Sequence, residues 1–277
     1  MSLHLSDCHL HTEYSGDAEL TLSWVVSQAA DLGLSGLCPT EHFDPGPTDP
    51  RFSRIDLDGM FARHRRLLSE DLPVVLGIGL EVTYRPGLED QIRQLLITRR
   101  FDLVIGSVHD LEGLYLREWL GRFPRGTQPL RTLLLPFIDL TARMIQTGLF
   151  SVVGHIDYVK RYVPGLSGAE FLSMFRDRLA GSLEMLLSQG GVLELNLSGL
   201  RHDCREPYPS RELMQLYRAL GGEAVTVGSD AHSSAHYRVP VSQGVEIARS
   251  AGLHVIDWRS LPASGSSALT AGDGEEK

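Results

Sequence analysis

Thiols are scarce in this chain. Its 277 residues include three cysteines, Cys8, Cys38 and Cys204, with no CxxC spacing. That supports neither a disulfide framework nor a cysteine zinc site, and it fits a reducing, cytoplasmic setting. Basic charge is also short: 26 Lys and Arg stand against 35 Asp and Glu, a net charge of −9. A nucleic-acid-binding surface usually needs a basic stripe, so no nucleic-acid partner is expected. No apolar run approaches the ~20 residues of a membrane span, and the N-terminus lacks a basic-then-apolar signal pattern, so no membrane partner is expected either. What remains is an ordinary globular composition, long enough for one α/β barrel. Residues 1–262 read as that single domain. Residues 263–277, rich in Gly, Ser, Ala and acidic side chains, read as a disordered tail.

Apolar runs alternate with amphipathic ones along the chain. Strands are expected over 5–11, 37–42, 74–82, 101–109, 150–157, 192–196 and 225–232. Pro39 weakens the second of these, because proline cannot donate to a strand ladder. Helices are expected over 24–32, 58–70, 88–99, 134–146, 168–188, 211–220 and 241–251, with a short terminal segment over 254–258. Residues 44–52 read as a loop, and 110–131 show little periodicity and read as a long active-face loop. Seven strand-then-helix units imply parallel pairing and can close into a TIM-barrel-like fold whose chemistry sits at the carboxyl ends of the strands.

The polar residues of those strands cluster at that end. His9 and His11 are two apart, so they share a strand face at about 7 Å spacing, which suits a metal ion. Asp230 and His232 repeat the arrangement near the far end of the chain. His42, Glu81, His109 and His155 also terminate apolar runs. Glu81 is a lone acid in such a run and needs a partner. Imidazoles with carboxylates suit zinc, manganese or iron. So many ligands over-supply a single ion, and a carboxylate such as Glu81 can bridge two.

His9-x-His11, Asp17, Thr40-Glu41-His42, Gly79-Leu80-Glu81, Gly106-Ser107-Val108-His109, Gly154-His155 and Ser229-Asp230-Ala231-His232, in this order, resemble the polymerase and histidinol phosphatase (PHP) superfamily. The resemblance spans roughly residues 5 to 240. It implies a distorted (β/α)7 barrel with three divalent metal ions. By the family pattern His9, His11, Glu81 and Asp230 hold the first ion, Glu81, His109 and His155 the second, and Asp17, His42 and His232 the third. The implied nucleophile is a hydroxide bridging the first two ions at Glu81. Many members carry histidine where Asp17 stands.

The stretches 154–162 and 194–201 resemble the monofunctional histidinol phosphatases of that superfamily. The implied reaction is hydrolysis of L-histidinol phosphate to L-histidinol and phosphate in histidine biosynthesis. The alternative is a PHP phosphoesterase acting on nucleotides or other small phosphate esters. A non-catalytic metal-dependent module is the reading from another class, and the full ligand set argues against it. A phosphate monoester carries almost two negative charges, and Arg161, Arg201 and Lys160, after strands five and six, are the candidates to meet it. Glu13, Asp44, Glu112 or Glu206 could recognise the substrate's ammonium group. Asp7 reads either as an imidazole-orienting partner or as a strand-end hydrogen-bonding group. His4, His64, His202 and His254 read as surface or satisfied histidines, while His236 follows His232 in a rim loop.

Overall fold

The computed structural model describes residues 5–45, 55–123, 126 and 128–261. His4, most of the expected 44–52 loop and the expected tail lie outside the described residues. The elements run β1 (Ser6–Asp7), α1 (Leu22–Gln28), β2 (Gly36–Leu37), β3 (Thr40–Phe43), α2 (Leu57–Leu68), β4 (Val75–Leu76), β5 (Gly79–Thr83), α3 (Glu89–Thr98) and β6 (Leu103–Ser107). They continue with β7 (Asp110–Leu111), β8 (Leu114–Tyr115), α4 (Leu116–Gly121), α5 (Leu130–Gln146), β9 (Val152–Val153), α6 (Gly168–Ser188), β10 (Val192–Asn196), α7 (Arg211–Ala219), β11 (Ala224–Gly228), α8 (Val241–Ser250) and β12 (His254–Val255).

Helix starts follow local chemistry. Thr21 caps α1 by accepting the Trp24 amide, and Ser167 with Glu170 forms a reciprocal capping box at α6. Two parallel sheets result, β12-β11-β10-β9-β6-β5-β3 and β1-β2-β4. The first strand joins them into a barrel. β1 pairs with β2, and just beyond it Cys8 N–H donates to Val227 O (2.9 Å), Asp230 N–H to His9 O (2.7 Å) and His11 N–H to Ala231 O (2.9 Å). At the opposite end of β11, β12 takes the neighbouring place, with Ala224 opposite His254.

The strand expected over 37–42 is in fact two. Pro39 has no N–H for the ladder, so β2 stays in the small sheet, while Thr40 N–H reaches Leu10 O (2.9 Å) and β3 joins the large one. The strand expected over 74–82 divides at Gly77 and Ile78 for a related reason. Asp102 takes the Ile78 amide on its carboxylate (2.8 Å) and returns its own N–H to Ile78 O (2.7 Å). These two sideways steps distort the barrel. Below the rim it is filled: Leu103 and Ile105 precede Ser107 on one face of β6 and pack with Cys8, Cys38, Val152 and Trp258 in a small second core.

The long loop expected over 110–131 is largely structured. β7 and β8 form a hairpin whose turn residues Glu112 (φ 53°) and Gly113 (φ 78°) are both left-handed, α4 follows, and α5 starts at Leu130 rather than 134. Among the described residues no helix is long and apolar enough to cross a membrane.

Candidate metal centre

Nine side chains meet at the carboxyl rim. His9 and His11 leave the first strand, His42 lies on β3, Glu81 on β5, His109 just past β6, His155 past β9, and Asp230 and His232 past β11; Asp17 comes from the first loop. By distance they fall into three groups. His9 Nε2 and His11 Nε2 lie 3.1 Å apart and within 3.4–3.9 Å of Glu81 Oε2 and Asp230 Oδ1. His109 Nε2 and His155 Nε2 are 3.2 Å apart and 3.2 and 2.8 Å from Glu81 Oε1. His42 Nε2 and His232 Nε2 are 3.4 Å apart, with Asp17 oxygens at 3.7 and 3.4 Å. The groups share walls, since His11, His42 and His232 also converge, as do His42, Glu81 and His109. Asp230 holds its place in a left-handed conformation (φ 53°), a strained backbone of the kind that collects at functional sites.

The donor set fits metal ions, and the tautomers show why. Ser15 gives its hydroxyl proton to Glu41 (2.6 Å), so it accepts from His11 Nδ1–H (3.1 Å). Thr83 gives its proton to Asp44 and accepts from His109 Nδ1–H (2.8 Å). His9 donates Nδ1–H to Glu194 (2.5 Å), and His232 donates Nδ1–H to the Asp230 carbonyl (3.1 Å). Four imidazoles therefore aim Nε2 lone pairs inward, at each other and at carboxylates. A divalent cation satisfies such a cluster. Without one, protons must neutralise it. Burial pushes the His42 imidazole down, but Glu81, Asp17 and Asp44 outweigh this and hold it up to about 10. Burial raises the Glu81 carboxyl, while His109, His9 and His155 hold it well below the usual range. Asp17, exposed at the rim, is likewise held low by His232 and His42 against its desolvation.

Glu41, Thr83, Ser15 and Glu194 orient these ligands, and none of them was anticipated from the sequence. Glu41 and Glu194 carried the same signal that marked Glu81, an acid in an apolar run. Among the described residues the Asp7 carboxylate accepts backbone amides, from Ser229 (2.9 Å) and His9 (3.3 Å), rather than an imidazole N–H. His236 Nδ1 accepts the His232 amide (3.0 Å).

Above the ligands lies a cavity of about 440 Å³ walled by Tyr115, Arg117, Glu118, Tyr158, Arg161 and Tyr162. Arg161 projects into it, its guanidinium over the Tyr158 and Tyr162 rings (5.6 and 5.5 Å) and donating to the Tyr158 hydroxyl (2.6 Å). Arg201 does not line it and instead donates to the carbonyls of Ser229 (2.8 Å) and Asp230 (2.9 Å). Lys160 does not reach it either. The turn over 158–162 directs its ammonium inward between Asp157 (2.8 Å) and Glu206 (2.9 Å), with no solvent exposure. Of the acids expected near an ammonium, Asp44 lines the cavity. Glu13 accepts the Leu22 amide, Glu112 faces Arg122, and Glu206 is committed to Lys160. Glu118, unanticipated, lines the cavity as well.

A parallel α/β barrel with imidazoles and carboxylates gathered at its carboxyl mouth defines a barrel protein of the metal-site class. Residues 7–198 match the family model described as the PHP domain, and the chain belongs to that family. It is 28% identical to the histidinol-phosphatase of Lactococcus lactis over 253 residues, covering 90% of this chain and 91% of the relative. It is also 28% identical to a Deinococcus radiodurans protein described as "Probable histidinol-phosphatase" over 262 residues, 92% and 96% of the two chains. In three dimensions it superposes on the Lactococcus lactis histidinol phosphate phosphatase, solved with zinc, L-histidinol and phosphate, with a TM-score of 0.81 at 23% identity, over 94% of this chain and 99% of that one. That likeness establishes the distorted barrel.

Proposed function

We propose that this chain hydrolyses L-histidinol phosphate to L-histidinol and phosphate, with three divalent ions of zinc, manganese or iron in the rim. The relatives of like length named for that activity support the reading. The observation that carries it is the union, in one cavity, of seven of the nine ligands with the Arg161 fork and two acidic neighbours, Asp44 and Glu118, while His9 and His11 lie buried beneath. In this reading His9, His11, Glu81 and Asp230 hold one ion, Glu81, His109 and His155 another, and Asp17, His42 and His232 a third. When bound, the ions supply Lewis acidity and a nucleophile from water at neutral pH.

The chain's own groups do the rest. Arg161, kept in place by its two tyrosines, presents a planar fork to the phosphoryl oxygens. Asp44 and Glu118 meet the ammonium, and the tyrosine walls flank the substrate's imidazole. Arg201 braces the Asp230 loop and adds positive charge behind it. Lys160 is withdrawn as a phosphate ligand. The free cysteines fit a reducing, cytoplasmic compartment. In this reading residues 1–262 form one domain.

Phosphate release measured with L-histidinol phosphate and with nucleoside mono- and bisphosphates tests the assignment. Faster turnover of histidinol phosphate is expected; preference for nucleotides would sink it.

A further inference from the structure

Glu194 is fully buried on β10, between β9 and β11, and lines no part of the cavity. Its two oxygens serve different ligand groups. Oε1 accepts from His9 Nδ1–H at 2.5 Å and from Asn196 Nδ2 at 3.2 Å, while Oε2 accepts the backbone amide of His155 at 3.0 Å. Asn196, two residues on and on the same face, reaches Asp230 Oδ2 at 3.3 Å and is itself fixed by Ser198, whose amide and hydroxyl both donate to its Oδ1 (2.9 and 2.6 Å). One strand face thus touches His9, His155 and Asp230.

The neighbouring strands leave room for this carboxylate. Gly228 lies opposite Asn196, and a Cβ there would run into the His9 side chain and Glu194 Oε1. A Cβ on Gly154 would meet Ser107 and approach Glu194 Oε2. Small residues on both sides let a charged group sit where the barrel is otherwise closely packed.

We propose that Glu194 is the positioning residue of the metal centre: it fixes His9 as the Nδ1–H tautomer with Nε2 free for the ion, and through the His155 amide it sets the spacing between the first and second ligand groups. The carboxylate also increases the basicity of the His9 ligand nitrogen, the effect by which outer carboxylates raise metal affinity. The inference rests on the metal-site reading given above.

The test compares zinc affinity, by chelator competition, in the full-length protein and in Glu194→Gln. A carboxamide offers one acceptor oxygen where three donors must be met, so its NH2 group opposes at least one of them. Zinc affinity is expected to fall about 10- to 100-fold, beyond the modest drop in metal-free melting temperature that one opposed buried donor brings. A purely structural role would lower the metal-free melting temperature alone, with affinity within threefold of the parent, and would overturn the proposal. Failure of the parent protein to bind zinc at all would instead overturn the metal-site reading. Should the variant not fold, nitrogen NMR of histidine-labelled, zinc-loaded parent protein decides the matter: a proton on His9 Nδ1 with Nε2 coordinated is expected, and coordination through Nδ1 overturns the proposal.

Discussion

Glu81 Oε1 lies 2.8 Å from His155 Nε2, while the other oxygen of the same carboxylate lies 3.4 Å from His9 Nε2. One buried anion thereby links imidazoles from two ligand groups, and Ser107 fixes its orientation with a 2.7 Å hydrogen bond. Glu81→Gln keeps the shape and removes the charge. Bound metal, measured by elemental analysis, is expected to drop by at least one ion per chain and turnover by more than about a hundredfold, the loss expected when a ligand rather than its outer support is removed. Full metal content in the variant would contradict the bridging role.

Thr83 relays between Asp44 and His109, and its hydroxyl is the acceptor that keeps His109 Nδ1 protonated. Thr83→Val removes that acceptor with little change of volume. Zinc affinity should fall roughly tenfold, with a stability loss of about 1–2 kcal/mol for the unpaired groups. Chelator competition and urea unfolding measure the two separately.

Much of this centre was legible in the order of the residues, for a physical reason. A parallel barrel brings strand ends to one rim whatever their separation in sequence, so polar residues closing apolar runs, such as His109 and Asp230, could be placed without knowing the packing. The hairpin at Asp110 to Tyr115 was not legible, because strands of two residues carry no periodicity. Nor was the direction of Lys160. That depends on Glu206, 46 residues later in the chain, which sequence spacing cannot bring near. The divided second strand lay between these cases: Pro39 announced a break, but the new partner on either side of it was a tertiary matter.

Arg161 couples charge to a planar, stacked geometry between Tyr158 and Tyr162. Arg161→Lys retains the charge but loses the fork and the stacking. Against L-histidinol phosphate, kcat/KM is expected to fall about 10- to 100-fold, corresponding to the ~1.5–3 kcal/mol of a hydrogen bond to a charged group, while metal content is unchanged. Steady-state kinetics on the fully loaded variant check this; parent-like kcat/KM would remove Arg161 from phosphate recognition.

Lys160→Met separates stability from substrate binding. The ammonium is buried, and loss of it leaves Asp157, itself fully buried, as an uncompensated charge. Breaking such a pair costs about 3–5 kcal/mol. Urea unfolding should report that loss, while KM for the phosphate ester stays near the parent value. A raised KM with unaltered stability would restore Lys160 to the substrate site.

His202 gives a pH dependence whose sign follows from its surroundings. Burial, then the Arg161 and Arg201 guanidinium groups, hold the imidazole down to about 4 from 6.5, outweighing the Asp230 carboxylate. Its Nδ1 meets the Tyr208 hydroxyl at 3.2 Å. Between pH 4 and 6.5 the unfolded chain therefore binds more protons than the folded one, so this residue's contribution is complete above pH 6.5 and is lost as the pH falls toward 4. The full shift corresponds to roughly 3 kcal/mol. Partial exposure of the ring reduces this to about 1–2 kcal/mol. His202→Gln cannot take up the proton, so its stability relative to the parent should rise as the pH is lowered from 7.5 to 4.5. Urea unfolding of both proteins at those two pH values isolates the term, because the other titrating groups are common to both and cancel in the difference. A difference that stays constant between the two pH values would show that His202 titrates normally in the folded protein.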